Sequence, residues 1–348
     1  MISDFKFRHF SAAEAAELST FLHDSSRTSP AQRLRRPDQR QIIRAEDLVL
    51  IESLSSGQMQ WFAIESEQRL RAVAGLRAIP FDTGIYGMNM AEVMRLTAHD
   101  RTAAFHLLSH LQQFTADSSI AHLACRVSAD DVIGRHALEN AKFLLMDTSV
   151  EYFWNPQLIE VIEQQNTWHV ISSGQPVRIP KLGLEYRVSV AEDAQPLADI
   201  SRETFTRDTL SRYANDPALP LDLTGELYDR WARNAVAGKF GDFVLVVEAA
   251  GRPAGFQVLR CERTLSASTG FSIGTLGIAA VLPQYRGHGV FPGLLAGVLK
   301  WGREHGLQLL RGRTLANNVS MHQTCHALGG VLCGVYHAFH FSHSHVTA

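Results

Sequence analysis

The sequence predicts an α/β fold that occurs twice, so that two similar domains follow each other along the chain. Its 348 residues exceed the size of one typical domain. Two pairs of segments recur about half a chain apart. In addition, residues 275–306 read as an apolar strand, a glycine-containing loop and an amphipathic helix in direct succession. These features predict strands and helices mixed within each copy.

The internal repeat consists of two segments in each copy. At an offset of 179 residues, the starts of the two copies match at Phe7 and Tyr186, Arg8 and Arg187, Ala12 and Ala191, Ala15 and Ala194, and Leu18 and Leu197. At an offset of 187 residues, the second matches are Arg126 and Arg313, Ala129 and Ala316, Asp131 and Asn318, and Val132 and Val319. Two ordered matches indicate a duplication. We therefore predict domains at 1–175 and 184–348, joined by a Gly- and Pro-containing linker at 176–183.

The composition is that of a soluble globular protein, with 45% hydrophobic and 20% charged residues. A formal net charge of −2 gives no global reason to expect nucleic acid or an anionic membrane as a partner. No apolar run approaches the roughly 20 residues that span a bilayer, and the first residues lack the pattern of a secretion signal. The chain has four cysteines without a C-x-x-C pair, so we expect free thiols and a cytoplasmic location.

The loop at 284–289 has the local chemistry of an anion-binding site. An apolar strand precedes it, Pro283 ends that strand, and Pro292 fits the first turn of the following helix. Gly287 and Gly289 allow a tight turn and a close backbone approach to a ligand. A helix N-terminus that follows such a loop presents unpaired N–H groups suited to phosphate, although a plain strand-to-helix turn would have the same pattern. The loop matches neither the dinucleotide fingerprint G-x-G-x-x-G nor the P-loop.

The arrangement Gln284-x-x-Gly287-x-Gly289 after an apolar strand resembles the acyl-CoA signature of the GNAT acetyltransferase superfamily. The resemblance implies domains with a mixed, mostly antiparallel central sheet flanked by helices. It also implies that two central strands splay apart and that Asn318, in a T-x-x-x-N pattern with Thr314, contacts the pantetheine arm. The residues that it implies for acetyl-CoA binding are Ile278, Ala279, Ala280, Val281, Gln284, Tyr285, Arg286, Gly287, His288, Gly289, Val290 and Asn318.

Secondary motifs are similar to those of TDP-fucosamine N-acetyltransferases, which act on amino-deoxysugar nucleotides. Residues 81–87 (FDTGIYG) look like the W-D-[ST]-x-x-F-G segment of that type. Ser211-Arg212-Tyr213 followed by Asp216-Pro217 looks like its S-R-[FY]-x-x-D-P segment. The resemblance implies a nucleotide-linked amino sugar as acceptor and a substrate-binding role for Arg212 and Tyr213.

The first copy lacks the glycine loop. By order along the chain its counterpart is 98–105, where Thr102 and Ala104 stand near the places of the two glycines and their Cβ atoms would obstruct a pyrophosphate. We therefore expect the first domain to support or wall the active site without binding CoA. Between residues 25 and 44 it also carries an arginine-rich stretch, which is either a solvated helical face or a docking site for phosphates or an acidic partner.

The expected proton donor departs from the family pattern. Where the family often has a Tyr as acid for the departing thiolate, seven residues after the Asn, this chain has Cys325. A thiol can protonate a thiolate, but a Cys at this position can equally be a small packing residue. His322 and His326 lie one helical turn apart on one face. Either of them, or Tyr336 or His337 on the final strand, is an alternative proton carrier. The spacing of His322 and His326 could also suit a metal, but no third ligand supports one, and we predict no metal.

The sequence thus predicts an acetyl-CoA-dependent N-acetyltransferase that acylates a primary amine of a small molecule. Acetyl-CoA serves as cosubstrate, and the candidate catalytic residues are Cys325, His326 and His322. Neither a membrane nor nucleic acid is an expected partner. Two alternatives stay open: a non-catalytic acyl-CoA sensor, and an aminoacyl or peptide-forming tandem GNAT transferase whose arginine-rich segment meets an RNA or a phosphorylated carrier.

Overall fold

The structure is a computed structural model that describes residues 5–28, 37–159, 177–179, 184–207 and 211–345. The chain forms two compact units. Unit 1 comprises Met1–Ser149, Asn215–Leu219 and Gly334–Ala348, and unit 2 comprises Val150–Ala214 and Pro220–Cys333. Each unit therefore includes chain from both halves of the sequence. The sequential boundaries at 175 and 184 remain a prediction about the duplicated sequence.

Unit 1 is a sheet with helices on its faces. Its strands are β1 (Lys6–His9), β2 (Gln60–Ser66), β3 (Arg69–Ala78), β4 (Met90–Ala98), β5 (His122–Ser128), the first part of β6 (Leu144–Trp154) and the last part of β13 (Val331–Ser342). Its helices are α1 (Ala15–Thr28), α2 (Pro37–Ser55), α3 (Pro80–Tyr86), α4 (Arg101–Asp117) and α5 (Val132–Asn140). The strand order β1-β2-β3-β4-β5-β13 is antiparallel except at β4–β5.

Alternation along these strands divides the apolar side chains of unit 1 between two faces. One face packs Phe62, Leu123 and Phe339 with the buried side of α4 and α5. The other packs Trp61 and Val73 with residues of α1 and α2. Both sides of the sheet are therefore covered.

Unit 2 repeats this plan. Its strands are the second part of β6, β7 (Val177–Ile179), β8 (Leu184–Val188), β9 (Phe243–Ala249), β10 (Arg252–Cys261), β11 (Ile273–Val281), β12 (Leu309–Leu315) and the start of β13. Its helices are α6 (Ala194–Arg207), α7 (Leu221–Val236), α8 (Arg263–Thr269), α9 (Val290–Glu304) and α10 (Val319–Ala327). The strand order is β6-β12-β11-β10-β9-β8-β7. The pairs from β7 to β11 are antiparallel, and β11–β12 is parallel.

Local sequence explains the turns, helix boundaries and buried helix positions of unit 2. The β9–β10 hairpin turns at Ala250 and Gly251, which have φ values of 51° and 73°, the backbone that a two-residue turn requires. Pro220 is the N-cap of α7, where its missing N–H costs nothing. In α9 the buried positions include Leu294, Leu295 and Val298, as helical periodicity predicts.

The predicted fold class is confirmed, because each unit is a mixed, mostly antiparallel sheet flanked by helices. Of the predicted linker, 177–179 form β7 and the other residues lie outside the described ranges. In the arginine-rich stretch, Arg33, Arg35 and Arg36 lie outside the described ranges, whereas Arg40 and Arg44 lie on α2. Within the described part of the chain, no helix has the length and apolar character needed to cross a membrane.

Candidate active site

The central strands β11 and β12 of unit 2 stop pairing partway along their length. They pair from Ile273 with Leu309 to Thr275 with Arg311, although β11 continues to Val281 and β12 to Leu315. On its other side β11 keeps pairing with β10 as far as Val281. One edge of β11 is therefore open from about 276 to 281, as the predicted splay requires.

Backbone alternation shows which β11 amides face this opening. The N–H of Leu282 donates to the carbonyl of Ala254 on the β10 side at 2.9 Å. Because successive amides along a strand point in opposite directions, the N–H groups of Val281 and Ala279 point away from β10. Of the four β11 residues predicted to meet the cosubstrate, these two direct main-chain donors into the opening, Ala280 directs its donor toward β10, and Ile278 lies in the irregular part of the strand.

A buried glutamine holds the irregular backbone beside this opening. The β10–β11 register shifts between Gln257 and Leu259, and the Gln257 side chain is 1% exposed. Its amide nitrogen donates to the carbonyls of Val258 at 2.9 Å and Gly277 at 3.2 Å. The bulge that this amide bridges lies next to the residues where β11 leaves β12.

The glycine loop lies immediately after β11 and before α9. Gly287 and Gly289 have φ values of 78° and 77°, a left-handed backbone that favours glycine. Gly289 is the N-cap of α9, which therefore starts without a side-chain hydrogen bond to its free N–H groups. Gln284, Arg286, Gly287 and His288 are exposed. The loop thus offers main-chain donors and the positive end of a 15-residue helix to an anion.

Two side chains hold this loop and helix in place. Arg286 Nε donates to the carbonyl of Val281 at 2.9 Å, and the hydroxyl of Tyr186 donates to the carbonyl of Val290 at 3.2 Å. Tyr186 is fully buried, and burial raises the pKa of its phenol. Of the predicted loop residues, Tyr285 is half-buried and Val290 is buried beneath the first turn.

Unit 1 has the same opening but a different helix start. Its β4 and β5 pair only from Met90 with His122 to Val93 with Cys125. The N-cap of α4 is Asp100, whose carboxylate accepts from the N–H of Ala103 at 2.8 Å and from Arg71 at 2.6 Å. Burial alone would raise the pKa of Asp100, but these hydrogen bonds outweigh it and lower the pKa. A carboxylate therefore already occupies the positive end of this helix.

This geometry corrects the predicted match between the two loops. The sequence comparison placed Thr102 and Ala104 near the positions of the glycines, but both residues lie inside the first turns of α4. The residue that corresponds to Gly289 as N-cap is Asp100. The obstacle to an anion in unit 1 is thus a negative charge at the helix start as well as added Cβ atoms.

Asn318 is the N-cap of helix α10. The Asn318 side-chain oxygen caps the helix by accepting from the N–H of Met321 at 3.3 Å. Further along the same helix, Cys325 is 1% exposed, and burial raises the pKa of its thiol to about 12. A thiol this weakly acidic and this buried is a poor match to the departing thiolate of CoA.

The two histidines of α10 converge on a tyrosine from β6. The Tyr152 hydroxyl lies 3.0 Å from His322 Nδ1 and 3.2 Å from His326 Nε2. Tyr152 is 1% exposed, His322 is half-buried and His326 is exposed. Burial raises the pKa of Tyr152, as does the nearby Cys325, so Tyr152 is a neutral phenol near pH 7.

The predicted acceptor residues lie in an aromatic cluster. Tyr213 is buried and packs edge-on against Tyr228 and Trp231, with ring centroids 6.5 and 6.1 Å away. The Arg212 guanidinium lies 4.8 Å from the centroid of the Tyr213 ring and donates to its hydroxyl at 2.8 Å. Arg212 is half-buried and is the more accessible of the two predicted acceptor residues.

A second polar group is buried in unit 1. His122 Nε2 and His340 Nδ1 each lie 2.7 Å from Asp216 Oδ2, and all three side chains are at most 2% exposed. Their ligand-type atoms lie within 4.8 Å of one another, but the 2.7 Å contacts are direct hydrogen bonds between the residues. Burial would raise the pKa of Asp216, yet the two imidazole hydrogen bonds outweigh it and hold the pKa well below its ordinary value.

The structure thus brings His322 and His326 together and places Cys325 in the packing beside them. Sequence reasoning missed Tyr152 and Gln257. Gln257 interrupts a buried apolar strand, and that polar residue was a usable signal. Tyr152 carried no signal, since it lies 170 residues before His322.

The fold is similar to that of proteins built from two GNAT-like domains in tandem. One similar solved structure is a tandem GNAT protein from the clavulanic acid biosynthesis pathway, with a TM-score of 0.56 and 13% identity over 97% of this chain and 98% of that one. Another is a GCN5-related N-acetyltransferase from Sphaerobacter thermophilus, with a TM-score of 0.59 and 13% identity over 98% and 97% of the two chains.

A third similar structure is a GCN5-related glucosamine N-acetyltransferase region of a fungal multi-domain β-N-acetylglucosaminidase. It has a TM-score of 0.60 and 11% identity over 98% of this chain and 38% of that one. No family profile matches the chain, and no curated protein matches it in sequence. At these identities the comparisons establish the fold alone.

Proposed function

We propose that the protein is an acyl-CoA-dependent N-acyltransferase whose cosubstrate site lies in unit 2. The observation that carries the proposal is the opening between β11 and β12 beside a helix that starts at Gly289 without a side-chain cap. The site suits both ends of the cosubstrate. A pyrophosphate fits the free N–H groups of α9, and an extended pantetheine arm fits the open strand edge.

The donor set also suits the reaction. Transfer from a thioester to an amine needs an oriented thioester, a neutral amine and donors for the oxyanion that develops. The N–H groups of Ala279 and Val281 point into the opening, where they can bind the arm and the acyl carbonyl. Asn318 lies at the end of β12 on the other side of the opening.

We assign proton transfer to His326 with His322, and a packing role to Cys325. His326 is exposed, whereas the Cys325 thiol is buried and has its pKa raised to about 12. An imidazole can accept the amine proton at one ring nitrogen and return a proton to the thiolate.

The sequence motifs support one choice of acyl group and acceptor. We propose acetyl-CoA as cosubstrate and a primary amine of a small molecule as acceptor, with a nucleotide-linked amino-deoxysugar as the first candidate. The FDTGIYG and SRY segments support this acceptor, and one structural neighbour is described as a glucosamine N-acetyltransferase region. Arg212 is the candidate contact to an anionic part of that acceptor.

Calorimetry with acetyl-CoA tests the cosubstrate site. Gly287→Glu adds a negative charge at a loop position with φ of 78° and open space around it, and Gly270→Glu makes the same change at φ of 78° and in open space at the end of α8. We expect Gly287→Glu to weaken binding at least about tenfold and Gly270→Glu to leave it unchanged. Equal binding by both variants would refute the site.

A thiol-release assay over amino sugars, polyamines and amino acids tests the activity. Release with one amine class supports the transferase and identifies its acceptor. Binding of acetyl-CoA without release for any amine would favour a sensor. Formation of a peptide bond from an aminoacyl carrier substrate, without thiol release, would favour a peptide-forming transferase.

A further inference from the structure

The hydrogen bonds around Tyr152 have directions that follow from their partners. His322 Nε2 lies 3.1 Å from the carbonyl oxygen of Ala316. A carbonyl only accepts, so His322 carries its proton on Nε2, and in the neutral ring Nδ1 is bare. This bare Nδ1 accepts the hydroxyl proton of Tyr152 across 3.0 Å.

The single proton of Tyr152 fixes the protonation of His326. A phenol has one proton, and Tyr152 donates it to His322. The remaining contact, 3.2 Å from the Tyr152 oxygen to His326 Nε2, is therefore donated by His326. The neutral His326 ring then has its bare nitrogen at Nδ1.

Exposure distinguishes the two ends of this chain of hydrogen bonds. Tyr152 is 1% exposed and His322 is half-buried, whereas His326 is exposed. Of the rings of Tyr152, His322 and His326, that of His326 is the most exposed, and its unprotonated nitrogen is Nδ1. At the opposite end of this series of hydrogen bonds, His322 donates to the main-chain carbonyl of Ala316.

We propose that Tyr152 is a positioning residue that holds His326 with Nδ1 as its reactive nitrogen and passes protons between His326 and His322. The proposal rests on the proposed acyltransferase function and deepens it. The substrate amine gives its proton to His326 Nδ1 as nitrogen bonds to the acyl carbon. His326 then passes its Nε2 proton to the Tyr152 oxygen, and Tyr152 passes its hydroxyl proton to His322 Nδ1.

Protons and charge balance along this route. His326 ends as a neutral ring with its proton on Nδ1, Tyr152 ends as a neutral phenol, and His322 ends as an imidazolium that donates to Ala316. The reverse transfers return the proton to His326 for delivery to the CoA thiolate. Storing the positive charge on His322 separates it from the amine while the C–S bond breaks.

Besides the two histidines, Cys325 and Glu151 are the nearest titratable side chains to Tyr152 along α10 and β6, and neither offers a competing route. Cys325 lies beside Tyr152, and its thiol is buried. On β6 the adjacent Glu151 bonds to Arg313 at 3.0 Å and, as a neighbour in a strand, points to the opposite face from Tyr152. Trp154, on the same face as Tyr152, packs with it at a centroid distance of 5.8 Å and does not titrate.

Steady-state kinetics across pH tests the proposal on full-length protein with acetyl-CoA and the best amine of the panel. Tyr152→Phe keeps the ring and removes the proton path, and His322→Asn removes the storage site at a half-buried position. We expect each variant to lower kcat about tenfold or more and to change the pH profile of kcat/KM. The KM and calorimetric Kd for acetyl-CoA are expected to stay within about twofold.

Matched controls separate chemistry from folding. Cys325→Ala removes the buried thiol on the same helix, and His305→Gln removes an exposed histidine at the C-cap of α9, whose Nδ1 lies 2.9 Å from the carbonyl oxygen of Trp301. Both are expected to keep the wild-type kcat and pH profile. His326→Ala is expected to lose activity and to regain part of it with added imidazole, because only the proton carrier is missing.

The outcomes distinguish this proposal from the proposed function. Failure of the wild-type protein to bind acetyl-CoA or release thiol refutes the acyltransferase. A wild-type protein that turns over, with Tyr152→Phe and His322→Asn folded and unchanged in kcat and pH profile, refutes only the role of Tyr152. Loss of thermal stability in Tyr152→Phe with an unchanged pH profile assigns Tyr152 to packing and also overturns the proposal.

Discussion

The carboxylate of Asp100 accepts a hydrogen bond from the N–H of Ala103 at 2.8 Å and so fills the N-terminus of α4. At the corresponding N-cap of α9, Gly289 has no side chain. Two helix starts of one duplicated fold therefore differ by a negative charge. Since anions bind at a positive helix end, this difference predicts that the α9 start suits a pyrophosphate better than the α4 start does.

A carboxylate placed at Gly289, where unit 1 has Asp100, should abolish the anion site of unit 2. We expect Gly289→Asp to weaken acetyl-CoA binding at least about tenfold more than Gly289→Asn, measured by calorimetry. Asp and Asn have the same shape and suffer the same strain at a φ of 77°, so the difference reports the charge alone. Equal losses in the two variants would mean that the helix start does not meet the phosphates.

The converse change in unit 1 supplies a second control. Asp100→Asn should cost about 1 kcal/mol or less of unfolding free energy, because Asn is also a good N-cap. Acetyl-CoA affinity should not change. A loss of affinity here would show that unit 1 takes part in cosubstrate binding.

Gln257 should be needed for the irregular path of β11. Gln257→Leu leaves the buried carbonyl of Val258 without its side-chain donor, which we expect to cost about 1–3 kcal/mol of unfolding free energy in urea titration. Acetyl-CoA affinity should fall as well, since the bulge borders the opening. Gln195→Leu, at an exposed glutamine of α6, should change stability by under about 0.5 kcal/mol.

The buried carboxylate of Asp216 should make the protein sensitive to acid. Its pKa is lowered in the folded protein, so its stabilisation is present above the unfolded value of about 3.9 and is lost as pH falls below that value. Asp216→Asn should cost about 3 kcal/mol near neutral pH, because it removes one partner of a buried charged group.

Unfolding free energies between about pH 3 and 7 check this prediction. The difference in unfolding free energy between the wild-type protein and Asp216→Asn should shrink as the pH is lowered. Asp222→Asn, at an exposed position in the first turn of α7, should stay within about 1 kcal/mol of wild type. A constant difference between wild type and Asp216→Asn at every pH would contradict the lowered pKa.

The cysteines should differ in reactivity according to burial. Cys125 and Cys325 are 2% and 1% exposed, whereas Cys261 and Cys333 are partly exposed. We expect iodoacetamide at pH 8 to modify Cys261 and Cys333 first, since the thiolate of a buried cysteine is both scarce and inaccessible. Peptide mass spectrometry of the folded and the urea-unfolded protein measures this order, and early labelling of Cys325 would reopen its role as an acid.

Local patterns were enough to predict much of the fold. Ala250 with Gly251 is typical of a hairpin turn, Pro220 is typical of a helix boundary, and the spacing of Leu294, Leu295 and Val298 is typical of a buried helix face. All three are present, because each depends on interactions within a few residues. The register of the two anion loops was predicted less well, because Thr102 and Ala104 were matched by order in the chain and the start of α4 is set by the Asp100 cap.

The amino-acid sequence by itself determined the duplication, the class of fold and the left-handed glycines at 287 and 289, because those features are encoded in residue type and short spacing. Only the tertiary structure decided which side chains meet. Strand pairing stops at Thr275 and Arg311, Gln257 reaches Gly277, and Tyr152 joins His322 and His326 from 170 and 174 residues away. Such contacts depend on long-range hydrogen bonds and burial, which no local pattern specifies.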